Sequence, residues 1–177
     1  MSDAKILSTK TVYISRYFKV HQRVIERNGR TFTKDFVERN PVVLIVPHTK
    51  EKIYIESQYR DALEGMSLEV VGGTIEEGGD PLETAKRELH EEAGLTGKTW
   101  KKIAEWNLSA NMQAKIHVFA VTDLEEGEQR LDFDEEIQIL KLPLKEVLKK
   151  IEKGEMITAS HIATLLFFKK LREEGKL

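Results

Sequence analysis

Residues 72–95 read GGTIEEGGDPLETAKRELHEEAGL, and they are the most informative part of the chain. Its middle predicts a helix, because Asp80 can cap the first turn and Pro81 suits the first helical position. Glu83 stands three residues after the cap, which completes the pattern of a capping box. Gly94 is a typical end for such a helix. With about 100° between successive residues, one face is apolar and is expected to join the core; it carries Leu82, Ala85, Leu89 and Ala93.

Three glutamates crowd the neighbouring face of this helix, namely Glu88, Glu91 and Glu92. Like charges three or four residues apart destabilise a helix by about 0.2–0.5 kcal/mol per pair. Two of the three also lie near the helix C-terminus, where the helix dipole disfavours anions. A divalent cation would reverse these effects, and ligands that are all oxygen atoms favour Mg²⁺ or Mn²⁺. The alternative is a solvated acidic face with Lys86 and Arg87 as local counter-ions.

The same stretch resembles the Nudix box, the signature of a hydrolase family. That motif is Gly, five residues, Glu, seven residues, and then Arg-Glu-apolar-any-Glu-Glu-any-Gly-apolar. One position departs from it, since this chain has Gly79 in place of the first Glu, with Asp80 one step later. Residues 73–95 are called the Nudix box below. Those in register with the motif are Gly73, Arg87, Glu88, Leu89, Glu91, Glu92, Gly94 and Leu95.

The resemblance implies a role for each of the box residues. Glu88 and Glu92 are expected to be the principal metal ligands, with Glu91 sharing a metal directly or through water. The carbonyl of Gly72 is expected to join them, because glycine lets the backbone approach an ion closely. Arg87 is expected to orient a box carboxylate rather than to touch substrate. Mg²⁺ is the expected cofactor, with Mn²⁺ as the alternative, and the bound metal acidifies the attacking water.

A general base is expected to take the proton of that water. In the branch of the family that acts on ADP-ribose and other nucleoside-diphosphate sugars, the base comes from an acidic loop after the box, just ahead of a strand. Residues 134–137 (DEEI) have that placement, with Glu135 as the first choice and Glu136 as the second. The alternative is a solvated loop without a catalytic role. Because Gly79 removes a carboxylate, the loop becomes more important. The loss is expected to be structural or compensated locally, with Asp80 at the N-cap and Glu76 or Glu77 nearby, and a weakened site is the alternative.

Residues 58–60 (QYR) and 69–73 (EVVGG) are similar to a run found in the ADP-sugar branch, although Val-Val-Gly replaces Leu-Pro-Ala. Arg60 and Glu69 are therefore candidates to bind substrate, as is Arg27 from the N-terminal hairpin. The resemblance implies hydrolysis of the pyrophosphate bond of ADP-ribose or another nucleoside-diphosphate sugar, giving a nucleoside monophosphate and a sugar phosphate. Two alternatives stay open: a Nudix hydrolase of dinucleotide polyphosphates or nucleoside triphosphates, and a catalytically weakened, ligand-sensing module.

Composition excludes several other classes of protein. The chain has 177 residues, 40% of them hydrophobic, which is enough for one domain with a sizeable core. A net charge of −2 gives no global field for nucleic acid or an anionic membrane, so neither partner is expected. The absence of cysteine excludes disulfides and Cys-zinc sites. No apolar run has the length of a membrane span and the first residues lack an apolar signal core, so a cytoplasmic location is expected.

The remaining pattern predicts an α/β chain, and the resemblance implies a mixed sheet sandwiched between helices. Residues 1–40 are expected to form an N-terminal β-hairpin region that packs across a homodimer, and residues 41–177 the Nudix domain. The segment 123–136 is interpreted as a loop, and His161 as structural. Beyond the box helix, helices are predicted at 143–152 and from 158 or 160 to about 172. Strands are predicted at 17–26, 31–37, 42–46, 52–58, 68–71, 100–108, 115–122 and 137–142.

Overall fold

The computed structural model describes residues 4–133 and 135–177, in which the chain forms three hydrogen-bonded sheets and three α-helices. The helices are α1 (Pro81–Ala93), α2 (Leu144–Glu152) and α3 (Ala159–Glu173). The strands are β1 (Lys5–Ile14), β2 (Phe18–Arg27), β3 (Arg30–Arg39), β4 (Val42–Pro47), β5 (Lys52–Arg60), β6 (Gly65–Glu69), β7 (Val71–Thr74), β8 (Leu95–Asn107), β9 (Met112–Gln113), β10 (Lys115–Glu126) and β11 (Ile137–Pro143).

The central sheet has the strand order β7-β4-β10-β8, with β4 and β10 parallel and the other pairs antiparallel. Strand β4 reads as a continuous apolar run because helices cover both of its faces. Val43 and Ile45 belong to the cluster that includes the apolar face of α1. Leu44 and Val46 belong to the opposite cluster, which includes residues of α2 and α3. The predicted α/β fold, a mixed sheet between helices, is confirmed.

The chain passes from one sheet to another at Val70. Strand β6 lies in a second sheet of order β11-β5-β6, whereas β7 begins at Val71 in the central sheet. The Val70 amide leaves both ladders and donates to His161 Nδ1 at 3.1 Å. The single strand predicted at 68–71 is therefore wrong, because one side chain at the start of α3 takes the hydrogen bond that a ladder would have used.

Local chemistry places α1 as predicted. The Asp80 carboxylate accepts from the amides of Leu82 and Glu83 at 2.9 and 3.0 Å. Gly94 ends the helix at φ 62°, a left-handed conformation that glycine adopts without strain. The capping box is only half formed, because the Glu83 side chain pairs with Lys86 instead.

Two other expectations need correction. A strand at β1 was not predicted because all ten of its residues are exposed, so its sequence has no buried alternation to read. Strand β10 continues to Glu126 by pairing with β8, which begins at Leu95, so the predicted loop at 123–136 starts only at Gly127.

The N-terminal sheet, of order β1-β2-β3-β9, joins the body through the short parallel pairing of β3 with β9. The domain division at residue 40 stays a prediction. No described helix is long and apolar enough to cross a membrane.

Candidate active site

A cavity of about 830 Å³ opens between the C-terminal half of α1, the switch from β6 to β7 and the start of α3. Its wall also includes residues of β3, β4 and β5 and of the segment 127–136, which is called the acidic loop below. The predicted residues that line it are Arg60, Glu69, Gly72, Arg87, Glu88, Glu91, Glu92 and Glu135.

The Arg87 guanidinium forms a fork between two box carboxylates. Its Nη2 lies 2.7 Å from Glu88 Oε1 and its Nη1 lies 2.5 Å from Glu91 Oε2. Burial raises the pKa of Glu88, and the adjacent Arg87 opposes that rise. Arg87 therefore pairs with both carboxylates at once, and its positioning role stays a prediction.

Two glycines let the sheet approach this helix closely. A Cβ added at Gly73 would overlap the carboxylate of Glu88, and one added at Gly72 would overlap the carbonyl of Val43. The Gly72 amide donates to Glu92 Oε2 at 3.3 Å. The glycines thus bring backbone groups of β7 against the side chains of Glu88 and Glu92.

Glu92 is 7% exposed and meets a second buried carboxyl, that of Glu56 on β5, which is 1% exposed. The two carboxyl groups lie within hydrogen-bond reach of each other. Burial, together with Glu88 and Glu135, raises the pKa of Glu92 to about 8. Burial and the neighbouring Glu92 also raise the pKa of Glu56 well above its ordinary value. At neutral pH, without a cation, this pair holds a proton.

Arg60 and Glu69 form a bidentate ion pair next to the two carboxyl groups of Glu56 and Glu92. Arg60 Nε and Nη2 donate to the two oxygens of Glu69 at 3.0 and 2.7 Å. Burial alone would raise the pKa of Glu69, but the hydrogen bonds and the charge of Arg60 hold it below its ordinary value. His161 Nδ1 accepts from Val70, so its Nε2, 3.5 Å from Glu69 Oε2, carries the proton of the neutral ring. Burial lowers the pKa of His161 and favours that neutral form.

The acidic loop is tied to the end of α1 by backbone hydrogen bonds. The Gly127 amide donates to the Gly94 carbonyl at 2.7 Å, and the Arg130 amide donates to the Glu91 carbonyl at 2.8 Å. Within the loop, Glu135 Oε2 accepts from the Asp132 amide at 3.1 Å. Glu135 raises the pKa values of both Glu88 and Glu92, which shows how close its charge lies to the box.

The structure does not bring every predicted residue to the cavity. Glu136 is exposed and lies outside the lining. Arg27 lies at the hairpin end of β2, with its guanidinium 5.8 Å from the Phe32 ring, and is also outside it. Gly79 sits in a turn where its amide donates to the Glu76 carbonyl at 2.9 Å. Glu76 lines the cavity and Gly79 does not. Asp134 lies outside the described residues.

Sequence reasoning missed several residues of the site, of which Glu56 contacts the cavity residue Glu92 without lining the cavity itself. Glu56 carried one available signal: it is the sole charged residue among the apolar positions in the middle of β5. His161, expected to be structural, reaches the site across 91 residues of sequence, a pairing that no spacing rule predicts. Arg39 and Arg130 also line the cavity, and nothing in their local sequence marks them.

The donor set fits a hard divalent cation. It consists of carboxylate and carbonyl oxygens, and Glu56 Oε1 is buried without any hydrogen-bond partner. Within residues 4–133 and 135–177, no three His, Cys, Asp or Glu side chains form a ready-made metal cage.

Comparisons with known proteins show which family the chain belongs to. The model of the NUDIX domain matches residues 38–163. The chain is 30% identical over 162 residues to an ADP-ribose pyrophosphatase of Bacillus subtilis, covering 89% of this chain and 88% of the relative. It is 28% identical to a methanol dehydrogenase activator of Bacillus methanolicus, covering 93% and 92% of the two chains.

Among solved structures, an ADP compounds hydrolase superposes with a TM-score of 0.83 at 22% identity. The match covers 98% of this chain and 97% of the other, and it shows a shared fold. With the box carboxylates gathered at one cavity and the family model spanning residues 38–163, the chain belongs to the Nudix family and is a Nudix pyrophosphatase.

Proposed function

We propose that this pyrophosphatase acts on ADP-ribose or another nucleoside-diphosphate sugar, releasing a nucleoside monophosphate and a sugar phosphate, with Mg²⁺ or Mn²⁺ as cofactor. The observation that carries the proposal is the meeting of the box carboxylates with three arginines, Arg39, Arg60 and Arg130, in one cavity of about 830 Å³. Cations suit the carboxylate side, and an anionic diphosphate suits the arginines. The name of the Bacillus subtilis relative, an ADP-ribose pyrophosphatase, supports this choice of substrate.

In this proposal Glu88, Glu92 and the Gly72 carbonyl hold the divalent cation, and Glu91 contributes directly or through water. Arg87 keeps Glu88 and Glu91 in place through its two short ion pairs. When bound, the cation neutralises the pyrophosphate, polarises phosphorus and acidifies water.

Glu135 takes the proton of the attacking water. The support for this role is its place on the cavity wall and its electrostatic effect on Glu88 and Glu92. Glu135→Gln is expected to lower kcat about 10²–10⁴-fold with little change in KM. Glu136→Gln is the matched comparison, because Glu136 is a neighbouring acid outside the cavity. A larger loss of kcat in Glu136→Gln than in Glu135→Gln would transfer the role to Glu136.

The part of the substrate beyond the pyrophosphate is proposed to lie toward β3 and the start of α3. Arg60 is held rigid by Glu69, which leaves the outer side of its guanidinium able to meet a phosphate or ribose oxygen. Tyr17 is 65% exposed on the same cavity and offers a ring face on which a base can stack.

The decisive experiment is a substrate panel with Mg²⁺ and Mn²⁺, with products separated by chromatography. The panel contains ADP-ribose, other nucleoside-diphosphate sugars, dinucleotide polyphosphates and nucleoside triphosphates. The proposal expects a nucleoside monophosphate and a sugar phosphate as the main products. Faster release of phosphate or pyrophosphate from a triphosphate would favour the other class of Nudix substrate. Glu92→Gln in the same assay tests whether turnover belongs to the box.

A homodimer through the N-terminal region also stays a proposal. Strand β1 is exposed along its whole length and carries apolar side chains such as Ile6, Val12 and Ile14, which are 54%, 48% and 67% exposed. An exposed apolar patch of this kind is typical of an interface. Sedimentation equilibrium of the parent and of Ile14→Asp tests it: a parent that stays monomeric at micromolar concentration would refute the dimer.

A further inference from the structure

Glu56 is a buried carboxyl that the Nudix box does not include. It lies in the middle of β5, directly opposite Glu69 on β6, and is 1% exposed. Its neighbours Ile53 and Ile55 belong to the apolar core. Directly opposed like charges destabilise an antiparallel pair of strands, so a hydrophobic residue would be the easier choice at this position.

The cation nearest to Glu56 is already committed. Arg60 donates two hydrogen bonds to Glu69, one to each carboxylate oxygen. Glu56 Oε1 is buried and has no hydrogen-bond partner. The neighbour that Glu56 does meet is another acid, Glu92, whose other side interacts with Glu88. The protein thus buries an unpartnered oxygen on a carboxyl group that contacts a predicted metal ligand.

We propose that Glu56 is part of the divalent-cation site and shares the charge of the ion with Glu92, at the buried end of the row of box carboxylates. The inference rests on the proposed function of this site and extends its ligand set by one residue. Two buried carboxyls in contact need either a proton or a cation between them, and a divalent ion would satisfy the Glu56 oxygen that is otherwise unpartnered. Glu56 then ties the cation to β5, the strand that also carries Arg60.

The test is the affinity for Mn²⁺ alone, measured at one fixed pH by calorimetry and by the electron paramagnetic resonance of the free ion. The variants are Glu56→Gln, Glu92→Gln and Glu105→Gln. Glu105 is a glutamate of β8 outside the cavity, paired with Lys102 and Lys115, and so controls for the loss of one negative charge. Glu56→Gln is expected to bind Mn²⁺ at least about tenfold more weakly than the parent, whereas Glu105→Gln is expected to match the parent.

Glutamine imitates a protonated, uncharged glutamate, so this variant separates an uncharged supporting role of Glu56 from a role in metal binding. An affinity of Glu56→Gln within twofold of the parent would overturn the proposal and leave Glu56 as an uncharged support for Glu92. If Glu92→Gln weakens binding and Glu56→Gln does not, the inference alone fails and the proposed function stands. If the parent binds no Mn²⁺, the metal-dependent function fails as well.

Folding is checked by thermal unfolding in EDTA. Glu56→Gln is expected to be at least as stable as the parent without metal, because it removes one of two apposed buried acids, and to gain less stability when Mn²⁺ is added. If this variant does not fold, Glu56→Asp carries the same test. It keeps the charge but withdraws the oxygens by one methylene, and the same tenfold and twofold limits apply to it.

Discussion

The raised pKa of Glu92 predicts that the metal-free protein loses stability as the pH rises. Unfolding returns Glu92 to an ordinary pKa near 4.5, whereas the folded value is about 8. Between these pH values the folded state holds a proton that the unfolded chain has released, so the free energy of unfolding falls with rising pH. At 1.36 kcal/mol per pKa unit, the stability lost by pH 8 is about 5 kcal/mol at most. The proton is shared with Glu56, whose raised pKa acts in the same direction.

The measurement is urea unfolding in EDTA at several pH values from 5 to 8.5. The parent is expected to lose stability across this range, Glu92→Gln to lose less, and the double variant Glu56→Gln/Glu92→Gln to lose least. Glu105→Gln is the control and is expected to follow the parent, because Glu105 has a pKa lowered to about 2 by Lys102 and Lys115 and does not titrate in this range. Mg²⁺ is expected to stabilise the parent more at pH 8 than at pH 5.5, since the cation competes with the shared proton. Parallel pH profiles for the parent and the double variant would refute the reasoning.

Two substitutions test the geometry around this pair. Gly73→Ala is expected to weaken Mn²⁺ binding at least about tenfold, because the new Cβ would overlap the Glu88 carboxylate. Gly65→Ala is the control, because its Cβ would meet nothing closer than 3.7 Å. Equal Mn²⁺ affinities in the two variants would contradict the prediction. Arg60→Lys is expected to raise KM about tenfold and to lower the free energy of unfolding by about 1–3 kcal/mol. The reason is that lysine cannot reproduce the two hydrogen bonds to the buried Glu69. Steady-state kinetics and urea unfolding measure the two effects, and an unchanged KM would show that Arg60 does not bind substrate.

The sequence predicted those features that depend on local chemistry. Both ends of α1 followed from Asp80 and Gly94, because caps act within a single helical turn. The family and its α/β fold followed from the box. Glu88 and Glu92 were predicted to converge from their spacing alone, and both line the cavity.

What could not be predicted depends on contacts between distant segments. Glu56 stands out as a charge among apolar residues of β5, but its contact with Glu92 on α1 is visible only in the folded structure. His161 meets Val70 because α3 begins next to the switch between two sheets. Strand β1 has no buried side and therefore no pattern to detect.

The crossing of the chain at Val70 has a consequence for how far the protein's specificity can evolve. Glu69, which braces Arg60, and Gly72, which faces the predicted ion, are held on either side of that crossing by a few peptide units of fixed length. An inserted or deleted residue at this crossing would displace Arg60 relative to the predicted metal site, and so would impair substrate binding and hydrolysis together. New preferences for base or sugar are therefore expected to arise from substitutions of other cavity residues, such as Tyr17 and Arg39. The spacing between Arg60 and the predicted metal site is expected to stay constant.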